Sequence, residues 1–272
     1  MHDAHPLSSL AAIDVHGHYG SYYQPAIGSF AESLYTADAA EVARRARGVN
    51  IALTIVSPLS ALLPRFHGDA VAGNEEAARI VPVTPGLAQY VVIDPRKPQT
   101  FEQADRLLGQ PHCLGIKIHP EEHGYLIGDF AEPIFEFAAR RKAIVLTHSS
   151  EQNSLAADFI PWANRLPEMR LILAHIGCGW DGDFTHQVRA IQQSRAGNVF
   201  ADTSSARSIT PKLIEWAVAE VGVERVLFGT DTPLYHTAMQ RARIEHADLP
   251  DDAKRKILRD NAVQLFNLQN IS

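Results

Sequence analysis

An α/β chain closed into one (β/α)8 barrel of the TIM type is the fold this sequence predicts. Three observations carry that expectation: eight short apolar runs spread along 272 residues, a helical pattern after each, and no Gly-x-Gly-x-x-Gly turn behind the first run. Apolar runs without polar alternation are strands buried on both faces, as a parallel sheet sheathed in helices requires. An open doubly wound sheet usually has fewer strands and a glycine-rich first turn, whereas a barrel fits both the number of runs and the length. No Ser/Gly/Pro-rich linker or charge block divides the chain, so residues 1–272 are expected to form a single domain.

The first run spans 13–18 and reads Ile-Asp-Val-His-Gly-His. Side chains alternate along a strand, so His16 and His18 face one way and can reach a common ion. Residues 21–35 read as a loop, and Thr36 is expected to cap a helix over 37–47 that stops at Gly48. The second strand, 51–56, ends at Ser57-Pro58. A long loop through Arg65, Phe66 and His67 leads to a helix over 75–80 and a third strand near 86–93. Helices over 101–108, 130–141, 156–165 and 184–193 then precede strands at 114–118, 143–147, 170–174 and 198–201. Thr210-Pro211 opens a helix to Val221, with proline at the first turn and Gly222 at the stop, and the eighth strand follows at 225–229. The closing helix carries Ile257, Leu258, Ala262, Leu265 and Phe266 on one stripe.

Composition narrows the function. With 46% hydrophobic and 21% charged residues the chain is ordinary for a globular protein with a sizeable core. A formal charge of -6 leaves no basic excess to neutralise phosphates, which argues against a general nucleic-acid binder. Residues 1–9 lack a basic-then-apolar leader, and no apolar run approaches the roughly 18 residues of a membrane span. Cys113 and Cys178 are too few for a disulfide framework and read as free thiols. The expected setting is the cytoplasm, without membrane contact.

In barrels of this kind the chemistry sits at the carboxyl ends of the strands. There the chain places His16 and His18 after strand one, Lys117 and His119 after strand four, His148 after strand five and His175 after strand six. Asp202, Ser204, Ser205 and Arg207 follow strand seven, and Asp231 follows strand eight. A lone strand-end histidine is ordinarily a hydrogen-bonded structural residue. Two that face one way, together with a carboxylate that needs a cation to stay charged at a buried mouth, favour a metal site. His2, His5, His112, His186 and His246 fall in terminal, loop or helical contexts and read as solvated. His67, His123 and His236 lie in loops that could cover the mouth. Arg207 is a candidate for gripping an anionic group, because a guanidinium pairs with a carboxylate in a two-pronged geometry.

Ile-Asp-Val-His-Gly-His at 13–18, Gly-Ile-Lys-Ile-His-Pro at 115–120, Leu-Thr-His at 146–148, Leu-Ala-His at 173–175, Leu-Phe-Gly-Thr-Asp-Thr-Pro at 227–233 and Asn-Ala-Val-Gln-Leu-Phe at 261–266 span nearly the whole chain. Taken together they resemble the amidohydrolase superfamily, and within it the amidohydrolase-related (amidohydrolase 2) branch that also holds the aminocarboxymuconate-semialdehyde decarboxylase type. The resemblance implies that His16, His18, His148 and Asp231 hold a divalent metal ion, zinc first. Asp231 would also carry protons, with His175 beside it as the second catalytic residue. In binuclear members a carboxylated lysine at the end of strand four bridges two ions. His119 beside Lys117 argues here for one ion, leaving Lys117 and His119, like Arg207, for a second ion or an anionic substrate. Asp14 is expected to turn away from the histidine pair and orient a ligand or neighbouring backbone.

The reaction placed first is hydrolysis of an amide, lactone or ester bond in a small molecule, with or without a carboxylate, by a metal-activated water. Loss of carbon dioxide from a small unsaturated or aromatic acid stands second, because decarboxylases of the branch tend to be longer, with insertions after the early strands. A catalytically silent ligand-binding barrel stands third. The expected partners are the small-molecule substrate and, since barrels of this family are often dimers, a second copy of the chain.

Overall fold

The computed structural model describes residues 6–63, 65, 67–149 and 151–268, and the expectations for His2, His5 and Phe66 lie outside them. Eight parallel strands run in sequence order: β1 (Ala12–Tyr19), β2 (Ile51–Pro58), β3 (Leu87–Val92), β4 (Cys113–Ile118), β5 (Ile144–Thr147), β6 (Arg170–Leu173), β7 (Val199–Asp202) and β8 (Val226–Leu227). Each pairs with the next. The remaining seam is made by the residues just past β8. The Val15 N–H donates to the Phe228 carbonyl at 2.9 Å, the Asp231 N–H to the His16 carbonyl at 2.7 Å, and Gly17 bridges Thr232. The result is the expected nearly closed, single-domain barrel.

The helices are α1 (Gly28–Tyr35), α2 (Ala39–Arg47), α3 (Ala70–Ile80), α4 (Pro98–Leu107), α5 (Pro120–His123), α6 (Ile127–Arg141), α7 (Ile160–Arg165), α8 (His186–Gln192), α9 (Leu213–Val221), α10 (Thr237–Glu245), α11 (Asp251–Arg255) and α12 (Asn261–Phe266). Two apolar layers result. Ile13, Val15, Ile55, Leu146, Ile172 and Leu227 form an interior cluster that also takes in Phe266 of α12. Outward-facing Val145, Leu171 and Val199 pack with Ile134 and Phe135 of α6, Ile191 of α8 and Ile214 of α9. Each such fully buried side chain contributes roughly 1.5–3 kcal/mol, so the barrel rim that carries the polar residues rests on a rigid scaffold.

Several boundaries differ from expectation, each for a local reason. The span 21–35 contains α1, which buries none of its residues and leaves its apolar side chains, Phe30 and Leu34 among them, exposed. The cap of α2 is Asp38, whose carboxylate accepts the Glu41 N–H at 2.8 Å, while the Thr36 hydroxyl takes the Tyr22 N–H at 2.9 Å instead. Helix α9 starts at Leu213 behind Lys212, whose left-handed backbone (φ 63°) excludes Pro211 from the first turn. The closing helix is divided into α11 and α12 by a π-helical stretch, Lys256–Asp260. No helix among the described residues is long and apolar enough to cross a membrane.

Candidate metal centre

The site begins with an irregularity in β1. Ile13 and Val15 both join the interior cluster, which places Asp14 on the opposite face of the strand. A register slip against β2 between Asp14 and Gly17 then brings His16 inward, with His18 two residues on. Asp14 plays the backbone-orienting part expected of it. Its buried carboxylate accepts the His16 N–H (3.1 Å), the Thr230 N–H (3.0 Å) and the Thr230 hydroxyl (2.6 Å), tying β1 to the segment after β8.

Three imidazoles are anchored alike. The Nδ1 of His16 donates to Asp202 Oδ2 (2.9 Å), that of His18 to the Ser57 carbonyl (3.0 Å) and that of His175 to the Ser204 carbonyl (2.7 Å). A carbonyl can only accept, so the proton sits on Nδ1 and the Nε2 lone pair is presented. Asp231 Oδ1 lies 3.1 Å from His18 Nε2 and 3.6 Å from His16 Nε2. His16, His18 and Asp231 thus offer three ligand atoms within 4.8 Å of one another, all from buried residues. Lone pairs turned on an ionised carboxylate at this range repel unless a cation lies between, and such spacings suit atoms about 2.0–2.2 Å from one ion. The donor set fits a divalent metal.

Backbone strain is concentrated at the same place. His175 (φ 71°) and Asp231 (φ 56°) both adopt the left-handed conformation that non-glycine residues avoid, at a cost of roughly 1–2 kcal/mol each. The His175 N–H, donated to Asp202 Oδ1 at 3.1 Å, and the Asp231 N–H, donated to the His16 carbonyl, hold them there. Gly229 completes the close packing, since a Cβ on it would stand 2.9 Å from Ser204 Cβ and 3.1 Å from His16 Cβ.

Asp202 is the functional residue whose role the sequence did not disclose. It was visible at the end of β7, but its partner, His16, lies 186 positions away. Its carboxylate also accepts the Ser204 N–H (3.0 Å) and the Ser204 hydroxyl, so the second compact group, His16, His175 and Asp202, is the hydrogen-bonded support behind the first. Asp202→Asn is expected to lower metal affinity about 10–100-fold, the usual effect of removing such a support. Titration of the purified variant with Mn2+ under competition from a chelator checks this.

His148, the fourth expected ligand, lines the same cavity but is not in the compact group. Its Nε2 is 3.2 Å from Glu151 Oε1, and its ring packs 5.0 Å from His175. Lys117 is buried, with Nζ donating to His16 Nε2 at 3.0 Å. Burial lowers its pKa to about 8, against the raising charges of Asp231 and Asp202. His119 faces the cavity, and its Nδ1 accepts the Glu122 N–H at 3.3 Å, capping α5. Arg207 does not line this cavity. It is exposed, with its guanidinium 5.1 Å from the Phe184 ring centre, because the short turn after β7 carries it outward. His123, expected in a covering loop, is buried and bonds the Ala61 carbonyl through Nε2 (3.0 Å).

The cavity holds about 280 Å³. Histidines, Lys117 and Asp231 form its polar side, and Leu59, Leu62, Leu63 and Leu234 an apolar one, with Tyr22 and Tyr235 at the edges. Burial lowers the His16 pKa to about 3, helped by Lys117, and the His148 pKa to about 4. Neutral imidazoles and an ionised carboxylate are the protonation states metal binding requires.

The sequence model of the amidohydrolase family, amidohydrolase 2, matches residues 5–268. Among solved structures, the chain is similar to 5-carboxyvanillate decarboxylase from Sphingomonas paucimobilis, with 16% identity and a TM-score of 0.73 over 95% of this chain and 99% of that one. It is similar to a dihydroxybenzoic acid decarboxylase from a Polaromonas species, with bound manganese and the inhibitor 2-nitroresorcinol, at 14% identity and a TM-score of 0.69 over 96% and 98% of the two chains. It also resembles amidohydrolase 2 from Bifidobacterium longum subsp. infantis, at 16% identity and a TM-score of 0.65 over 94% and 98%. The expected order of reactions, hydrolysis first and carbon dioxide loss second, is thereby overturned. The two of these neighbours named for a reaction are both decarboxylases.

Proposed function

Because the chain belongs to the amidohydrolase family, we propose that it is a metal-dependent decarboxylase acting on a small aromatic or unsaturated carboxylic acid. One observation carries the reading: the lone pairs of His16 and His18 converge on ionised Asp231 at the floor of a small cavity with a leucine wall. The polar floor suits the acid end of a substrate and the leucines suit its flat body. A volume of about 280 Å³ favours a single ring or a short chain.

His16, His18 and Asp231 would hold the ion, and His148 is the further donor within the cavity. When bound, a divalent ion supplies electrostatic polarisation of the acid's oxygens. Manganese moves ahead of zinc as the ion we propose, supported by the manganese in the Polaromonas neighbour and by a mixed nitrogen and oxygen set that suits either metal. One ion is proposed, because His16, His18 and Asp231 form one compact donor group, while the second group, His16, His175 and Asp202, is held together by its own hydrogen bonds.

In decarboxylation the carbon–carbon bond to the carboxylate breaks, carbon dioxide leaves, and the electron pair left on carbon takes up one proton. The site therefore needs a proton carrier that touches substrate. His175, with Nδ1 anchored on Ser204, would take a proton from solvent on Nε2 and deliver it to that carbon, with Asp231 as a second group that can accept a solvent proton and pass it on. Lys117 favours an anionic substrate over a neutral one. A cytoplasmic setting is supported by the two free thiols, Cys113 buried and Cys178 half-buried.

The test is a panel of hydroxybenzoic and unsaturated acids offered to the Mn2+-loaded protein, with carbon dioxide measured. Release from at least one acid, abolished by chelation, is expected. Turnover confined to lactones, esters or amides would contradict the proposal.

A further inference from the structure

We propose that His119 is a specificity residue, a fixed N–H donor that reads an acceptor oxygen on the substrate, and not the ligand of a second metal ion. The inference rests on the decarboxylase reading and narrows its substrate class to acids carrying a ring hydroxyl or comparable oxygen beside the carboxylate-bearing framework.

His119 caps α5, its Nδ1 accepting the Glu122 N–H at 3.3 Å. A backbone N–H can only donate, so Nδ1 carries the lone pair and the ring hydrogen is on Nε2. That leaves no nitrogen lone pair for a metal, the reverse of His16, His18 and His175, whose Nδ1 atoms donate outward. The ring cannot swing freely. It lies flat on His148, with centroids 4.3 Å apart and 12° between planes, and Pro120 stiffens the backbone that follows. Among the described residues no protein acceptor is bonded to Nε2, and His119 lines the same cavity as His16, His18 and Asp231. A preorganised donor with no protein partner, inside a cavity that takes small acids, discriminates between ligands that do and do not offer it an oxygen.

The experiment compares binding of 2,6-dihydroxybenzoate and benzoate to the full-length, Mn2+-loaded protein by calorimetry, in wild type and in His119→Asn. Asparagine keeps an N-cap acceptor for α5 but is too short to present the donor. Wild type is expected to prefer the dihydroxy acid by about three- to tenfold, the range of one neutral hydrogen bond. His119→Asn is expected to bind both acids equally while keeping wild-type Mn2+ stoichiometry. His119→Gln, which retains a donor and an acceptor, should keep part of the preference and all of the metal, and it decides the matter where the Asn variant does not fold. Loss of Mn2+ in the variant that folds, an undiminished preference, or wild-type protein that binds neither acid or both alike would each overturn the inference. Binding that follows the expected pattern without release of carbon dioxide would overturn the proposed reaction and leave the donor role standing.

Discussion

Asp231→Asn is expected to lose turnover by about 10³-fold or more, with metal retention falling at the same time. The substitution is nearly isosteric, and asparagine tolerates the left-handed backbone (φ 56°) found there, so the barrel should survive. What disappears is the charge on which His16 and His18 converge at 3.6 and 3.1 Å, together with a carrier for the proton. Proton transfer alone accounts for about 10²–10⁴-fold in such reactions. Carbon dioxide release, metal analysis and the melting temperature separate the effects. A variant with an unchanged melting temperature and wild-type turnover would remove Asp231 from the site.

His175→Ala separates metal binding from proton delivery. Its Nδ1 is held by Ser204 and its ring stands 4.9 Å from His16, but it is not one of the three residues that converge on the candidate ion. The variant should keep its Mn2+ and lose turnover about 10²–10³-fold, within the range for a positioned proton carrier. Loss of the ion in this variant would move His175 into the ligand set, and full activity would exclude it from the chemistry.

Much of the fold was legible because strands buried on both faces leave unbroken apolar runs, and all eight appear near the expected positions. The segments that escaped lack such a signature. Helix α1 is short and buries nothing, leaving Phe30 and Leu34 exposed, and α10 buries Thr237, Gln240 and Arg241 beside its single buried Ile244, so α10 shows no apolar stripe. At the site, residue identity was legible and orientation was not. His16 and His18 were readable as a pair, but the slip in β1 that turns His16 inward depends on β2, a different part of the chain. The anchors of His18 and His175 are backbone carbonyls of Ser57 and Ser204, which no side-chain motif announces. The same limit explains Arg207, whose chemistry suited an anion but whose turn directs it to the surface. It also explains Asp202, recognised by position but paired through space with a residue near the other end of the chain.

The most direct measurement is turnover of a hydroxybenzoic acid by the Mn2+-loaded protein in deuterium oxide, followed by proton and carbon magnetic resonance. Carbon dioxide should appear in step with a ring product bearing one deuterium on the carbon that carried the carboxylate, and the signal should vanish in Asp231→Asn. A product that keeps its carboxylate and instead gains a solvent oxygen at a cleaved ester, lactone or amide would contradict decarboxylation.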